Sequence, residues 1–164
     1  MLKLIKRQSP GRIIALGFAL VILIGSILLI LPCSVQDGVT VRYIDALYTS
    51  TSAVCVTGLI AIDAGDTFTA VGQFFLAALI QVGGLGVTAV GAGIILAMGK
   101  RVNLKERNLI REAMNLNSGK GLVNFVKSIF LTTVIFELTG ALLSFTVFVR
   151  DYPPLEALGI SLFH

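Results

Sequence analysis

Residues 54 to 58 read Val-Cys-Val-Thr-Gly, inside the longer run TSTSAVCVTGLIAIDAG at 49 to 65. The run holds no nucleophile with a neighbouring base and no ligand set for a metal, so its chemistry is that of the backbone. An extended strand can turn its carbonyl oxygens to one side and replace the hydration shell of a cation. Such a strand needs a residue free to take positive φ, and Gly58 is one. The hydroxyl of Thr57 is a further ligand or a hydrogen-bonding group. Val54 and Val56 are expected to pack outward and hold the strand, with Cys55 a small packing residue rather than a reactive thiol. The other reading of these five residues is a buried edge strand or a plain loop, and the flanking elements decide between the two.

Directly before the run, YIDALYTSTSA (Tyr43 to Ala53) has room for about three helical turns. It is too short to cross a membrane. A half-helix ending near Ser52 would aim the negative end of its dipole at the strand that follows, where it favours a cation. Asp45 in its first turn is either a solvated charge at a helix start or a carboxylate that raises the local cation concentration at a mouth.

The surrounding chain is apolar. Its hydrophobic fraction is 55% and its charged fraction 13%, against about 25% charged in soluble domains. Residues 13 to 31, IIALGFALVILIGSILLIL, carry no charge and would span roughly 28 Å as a helix, about one hydrocarbon core. Pro32 ends them. A secretory signal is the competing reading, but the run is long for one and more apolar segments follow. Thr67 to Gly99 is also uncharged, and as one helix would reach about 50 Å, so it must tilt, protrude or break. Gly83, Gly84, Gly86, Gly91 and Gly93 crowd into it and favour close helix packing over a hinge. A third apolar segment runs from about Leu122 to Val149. Lys127 near its start can snorkel, and Glu137 near its middle needs a partner or water, a hydrogen bond to a neighbouring helix being the expected one.

Charge location sets the expected topology. Lys3, Lys6, Arg7 and Arg12 precede the first span, and Lys100, Arg101, Lys105, Arg107, Arg111 and Lys120 follow the second. Both stretches belong on the cytoplasmic side. Asp37, Asp45, Asp63 and Asp66 then lie outside, against Arg42 alone. Three crossings follow, with the 43–60 loop re-entering from outside. Irregular backbone at that depth is tolerated only where it is packed in protein or lines a water-filled cavity. The segment from Asn103 to Leu116 reads as an amphipathic helix, with Leu104, Leu109, Ile110, Ala113 and Met114 on one face. It lies on the membrane surface or meets a partner. The formal charge of +4 comes from these clusters, which is no argument for nucleic acid. Cys33, Cys55 and the single His164 make no disulfide framework, zinc site or catalytic triad, and an enzyme is not expected.

IDAL at Ile44 to Leu47 returns conservatively as LEAL at Leu155 to Leu158, and the same offset carries Ser50 onto Ser161. Each copy follows an outward-going span. If this is an internal repeat, the chain stops where a second strand would begin, as the N-terminal part of a longer protein would.

The runs TSAVCVTGL, QVGGLGV, FELTG and LEALGISLFH together resemble the membrane subunit of the Trk/Ktr/HKT potassium transporters, most closely the bacterial Ktr type, over almost the whole chain. The resemblance implies an all-α polytopic membrane protein of the cell membrane, built from helix–pore-loop–helix repeats of the potassium-channel kind. Residues 1–12 would be its cytoplasmic N-terminus, 13–99 the first repeat with the half-helix and filter strand at 43–60, 100–120 a basic cytoplasmic linker, and 121–164 the first helix and the start of the pore helix of a second repeat. Val54, Cys55, Val56, Thr57 and Gly58 would bind potassium through backbone carbonyls, and the resemblance leaves open whether the uptake depends on sodium. The run departs from the channel pattern T-V-G-Y-G: Leu59 and Ile60 follow Gly58 and the second glycine is absent, which leaves one ring position looser. The resemblance further implies a homodimer of the full-length chain on a cytosolic ring of regulatory subunits, with nucleotide bound only on that ring, which the basic 100–120 segment would face. The alternative is a membrane subunit of another transporter in which the 43–60 loop is structural.

Overall fold

The computed structural model describes residues 10–87, 89–92, 104–113 and 121–163. The helices are α1 (Pro10–Ile30), α2 (Tyr43–Val54), α3 (Ala64–Thr67), α4 (Ala70–Leu85), α5 (Leu104–Ala113), α6 (Leu122–Phe148) and α7 (Pro154–Phe163). Among the described residues extended pairing is confined to one antiparallel bridge, Val35 with Phe68. The N-terminal basic residues up to Arg7, Gly93 to Asn103, Met114 to Lys120 and His164 lie outside the described residues. The chain divides into two compact units, Met1–Val123 and Asn124–His164.

In the first unit α1 packs against α2, α4 and α5, and α2 against α4. Pro10 occupies the first turn of α1, where its missing N–H costs nothing. Gly11–Ile30 is long and apolar enough to cross a membrane. Small residues bring the helices together. A β-carbon on Gly25 of α1 would sit 2.5 Å from Ser50 Oγ of α2 and 2.6 Å from Leu79 Cδ2 of α4. Ser50 is fully buried and donates its hydroxyl to the Ile22 carbonyl at 2.8 Å, so α2 is fixed to α1 by a polar contact inside an apolar seam.

The link between α1 and α2 is tied down against the start of α4. Ser34 Oγ donates to Leu28 O at 2.7 Å, Gln36 N to Thr67 O at 3.0 Å, and Thr69 Oγ1 to Cys33 O at 2.6 Å. Gly72 lies so close to the Ser34 carbonyl that no β-carbon fits between them. Asp63 caps α3 by accepting from Gly65 N and Asp66 N, and Thr69 caps α4 by accepting from Gly72 N, satisfying amides that have no helical partner.

The uncharged 67–99 stretch breaks. α4 ends at Leu85, and Gly86 takes φ 82° and donates its amide to Gly83 O at 3.1 Å. Helical backbone resumes beyond it, with Val90 N donating to Gly86 O at 3.0 Å. The expectation that these glycines serve close packing rather than a bend therefore divides. Gly83 packs closely, Gly86 turns the chain, and Gly84 and Gly91 meet nothing within 4 Å. The amphipathic helix is present as α5, with Ile110 buried and Arg107, Asn108, Arg111 and Glu112 exposed.

In the second unit Val123–Phe148 is also long and apolar enough to cross a membrane, and Lys127 and Glu137 are exposed on it. α7 matches α2 in its start and in two buried positions. The offset that carries Tyr43 onto Pro154 aligns the two helix starts. Ala46 and Ala157 are both fully buried, as are Ser50 and, nearly so, Ser161. Ala46 N donates to Arg42 O and Ala157 N to Pro153 O. Their serines differ in partner, since Ser161 Oγ donates to Ala157 O of its own helix at 2.6 Å.

Candidate ion site at the end of α2

α2 begins at a charged lock. Arg42, its cap residue, holds Asp45 with Nε on Oδ2 at 2.8 Å and Nη2 on Oδ1 at 3.0 Å. The paired guanidinium hydrogen bond pulls the Asp45 carboxyl below its ordinary value and pushes Arg42 up. Asp45 is therefore more than a solvated charge at a helix start. It is one arm of a two-point ion pair.

The helix runs to Val54 rather than stopping near Ser52, with Cys55 as its cap at φ −86°, ψ −1°. Two reverse bonds close it: Thr57 N donates to Ser52 O at 3.0 Å, and Val56 N to Ala53 O at 3.2 Å. This pair is a Schellman closure, in which the residue after the cap adopts left-handed backbone, usually as glycine. Here it is Val56, at φ 53°, the one non-glycine with positive φ among the described residues. A β-branched side chain in that region is strained. Gly58 follows at φ 71°. Positive φ therefore occurs twice, on either side of Thr57.

A hydroxyl chain holds this turn. Thr57 Oγ1 donates to Ser52 Oγ at 3.0 Å, and Ser52 Oγ donates to Leu59 O at 2.7 Å. Ser52 is buried on α2, and with its carbonyl taken by Thr57 N it makes three contacts to the segment it precedes. The expectation that Val56 packs outward as a support is corrected. Val54 is buried at 1% exposure, but Val56 is 57% exposed. A left-handed residue projects its side chain away from the helix it terminates, so the support passes to Ser52. Cys55 is likewise exposed with a free thiol, not a packed residue. Thr57, Gly58, Leu59 and Ile60 are exposed too.

In the sequence Ser52 marked only the expected end of the half-helix, not a hydrogen-bonding role. Its reach to Leu59 spans seven positions and has no periodic signature. Gly83 is the other contributor. Its α-carbon lies against the Val54 carbonyl, so α4 buttresses the end of α2 from behind. No metal-ligating cluster of His, Cys, Asp or Glu occurs among the described residues. The polar groups at this turn are backbone carbonyls and the Ser52 and Thr57 hydroxyls, which bond to each other and to the Leu59 carbonyl.

The TrkH family, described as cation transport protein, matches residues 13–158. The chain is 42% identical over 158 residues to Ktr system potassium uptake protein B of Bacillus subtilis (strain 168), covering 96% of this chain and 35% of that protein. It is 41% identical over 150 residues to Ktr system potassium uptake protein D of the same organism, covering 92% and 33%. It is 35% identical over 159 residues to the potassium/sodium uptake protein NtpJ of Enterococcus hirae, covering 97% and 35%. The chain thus spans about a third of the length of the curated relatives it matches. The family match runs from within α1 to the middle of α7 and covers most of the chain: the chain belongs to the TrkH family of cation transport proteins.

Proposed function

We propose that the full-length protein carries potassium into the cell through a row of backbone carbonyls, to which this chain contributes Val54, Cys55, Val56, Thr57 and Gly58. The observation that carries this reading is the backbone after α2. Cys55 is right-handed while Val56 and Gly58 are left-handed, and such changes of handedness along a short segment can turn neighbouring carbonyls to one side. The C-terminal end of α2 adds a partial negative charge at the same place. The relatives are named for potassium uptake and potassium/sodium uptake, which favours potassium and admits sodium as a second ion.

The re-entrant arrangement has α1 going out, α2 and the 55–60 segment entering from outside, and α4 with its continuation returning. The basic residues before α1 and around α5 support a cytoplasmic N-terminus. The matching starts and buried positions of α2 and α7 support a second repeat beginning in α6. The exposed apolar residues Leu59 and Ile60 would meet the other filter strands. The basic 100–120 segment would face a cytosolic nucleotide-binding ring, and the full-length chain would pair as a homodimer.

The test is growth of bacteria lacking their own potassium uptake systems, on limiting potassium, with and without the full-length protein. Restored growth with uptake of rubidium is expected. Membrane expression with neither would remove the reading.

A further inference from the structure

The proposed ion row must end somewhere, and the hydrogen bonding after α2 marks where. The Leu59 carbonyl accepts the Ser52 hydroxyl at 2.7 Å, which turns that oxygen toward α2 while the Leu59 side chain is 60% exposed. The Ser52 hydroxyl in turn accepts from Thr57 Oγ1 at 3.0 Å. The protons run one way, from Thr57 to Ser52 to the Leu59 carbonyl, and each bond polarises the next. A carbonyl engaged by a buried hydroxyl has a reduced share of its electron density for an ion, and its direction is fixed.

We infer that Ser52 is a positioning residue that ends the row of ion ligands at Gly58 by holding the Leu59 carbonyl against α2. This rests on the proposed carbonyl filter. It gives the missing second glycine a physical counterpart: where a potassium-channel strand continues with a further ligand, this strand turns its next oxygen into the protein. Removing the Ser52 hydroxyl frees the Leu59 oxygen, adds a loosely held ligand at the outer end and relaxes the strained Val56 turn, so discrimination between ions falls.

The experiment measures concentration-dependent rubidium and sodium uptake by the full-length transporter at matched membrane levels, in wild type, Ser52→Ala, Ser52→Thr, Ser52→Cys and Gly58→Ser. Ser52→Ala is expected to lower the preference for rubidium over sodium by roughly two- to tenfold, the equivalent of one net hydrogen bond, through KM rather than maximal rate. Ser52→Thr keeps the hydroxyl and is expected to keep the preference. A fall in maximal rate with the preference unchanged in Ser52→Ala would overturn the inference, because a merely structural serine behaves that way. Should Ser52→Ala not reach the membrane, Ser52→Cys, near in size with a weak donor, decides: an unchanged preference overturns the inference and a reduced one supports it. Gly58→Ser separates the two levels. If it shifts preference while the Ser52 variants do not, the filter reading stands and the role of Ser52 falls. If it shifts nothing, the filter reading falls with it.

Discussion

The α-carbon of Gly83 lies against the carbonyl oxygen of Val54, with the Ala53 oxygen close behind. An added β-carbon would collide with backbone that no rotamer change can move. Gly83→Ala is therefore expected to destabilise the protein by about 1–3 kcal/mol, the usual range for overpacking, and to displace the turn after α2. Gly84→Ala is the matched comparison, since nothing lies within 4 Å of its β position in this chain. There the substitution is expected to be neutral or stabilising by up to about 1 kcal/mol, as for an ordinary helical glycine. Thermal unfolding of the two variants of the full-length protein in detergent checks the contrast; equal effects would contradict the close approach.

Val56 occupies the left-handed position of the Schellman closure. Val56→Gly relieves that strain, worth about 1–2 kcal/mol for an L-residue in this region, offset in part by greater backbone freedom in the unfolded chain. A rise in thermal midpoint is expected together with poorer ion discrimination, because a freer residue holds the neighbouring carbonyls less firmly. Thermal midpoint and uptake preference measured on one preparation test this pair of opposite changes; a lower midpoint would contradict the strain.

The Arg42–Asp45 pair makes a pH prediction with a definite sign. The folded Asp45 carboxyl titrates below its ordinary value. Its contribution is then fully present above the ordinary carboxylate range and is lost as pH falls through the folded value. Arg42 is raised from an already high value and stays charged throughout. Asp45→Asn is expected to unfold more readily than wild type at neutral pH, with the two converging under acid conditions below the ordinary carboxylate range. Between pH 5 and 8 their difference should be flat. A difference that changes across that neutral window would assign the effect to another group.

The parts of this structure that were legible in the sequence are those set by local rules. The uncharged run before Pro32 forms α1, the YIDALYTSTSA segment forms α2, and the IDAL and LEAL copies start helices with the same buried alanine position. The 67–99 run could not stay one helix, and its glycines held the answer, but sequence did not say which one turns. Gly83 stays helical against the Val54 carbonyl while Gly86 turns at φ 82°, a difference that tertiary contact makes. The site itself was legible at Gly58, where a positive φ has an obvious residue. It was not legible at Val56, where propensity argues against the conformation observed and three contacts from Ser52 impose it. Nor was the pairing of Asp45 with Arg42, because a carboxylate in a first helical turn is already accounted for by the dipole.

The central claim, that the backbone carbonyls of residues 54–58 select the ion, is tested most directly by Gly58→Ser in the full-length protein. Gly58 is at φ 71° with nothing within 4 Å of its β position in this chain, so within this chain the serine acts through backbone conformation. Rubidium and sodium uptake should be compared with wild type at matched membrane expression in cells lacking other potassium uptake. The account predicts that uptake persists while the preference for rubidium over sodium falls. Unchanged flux with unchanged preference would make Val-Cys-Val-Thr-Gly a packing loop and contradict the account.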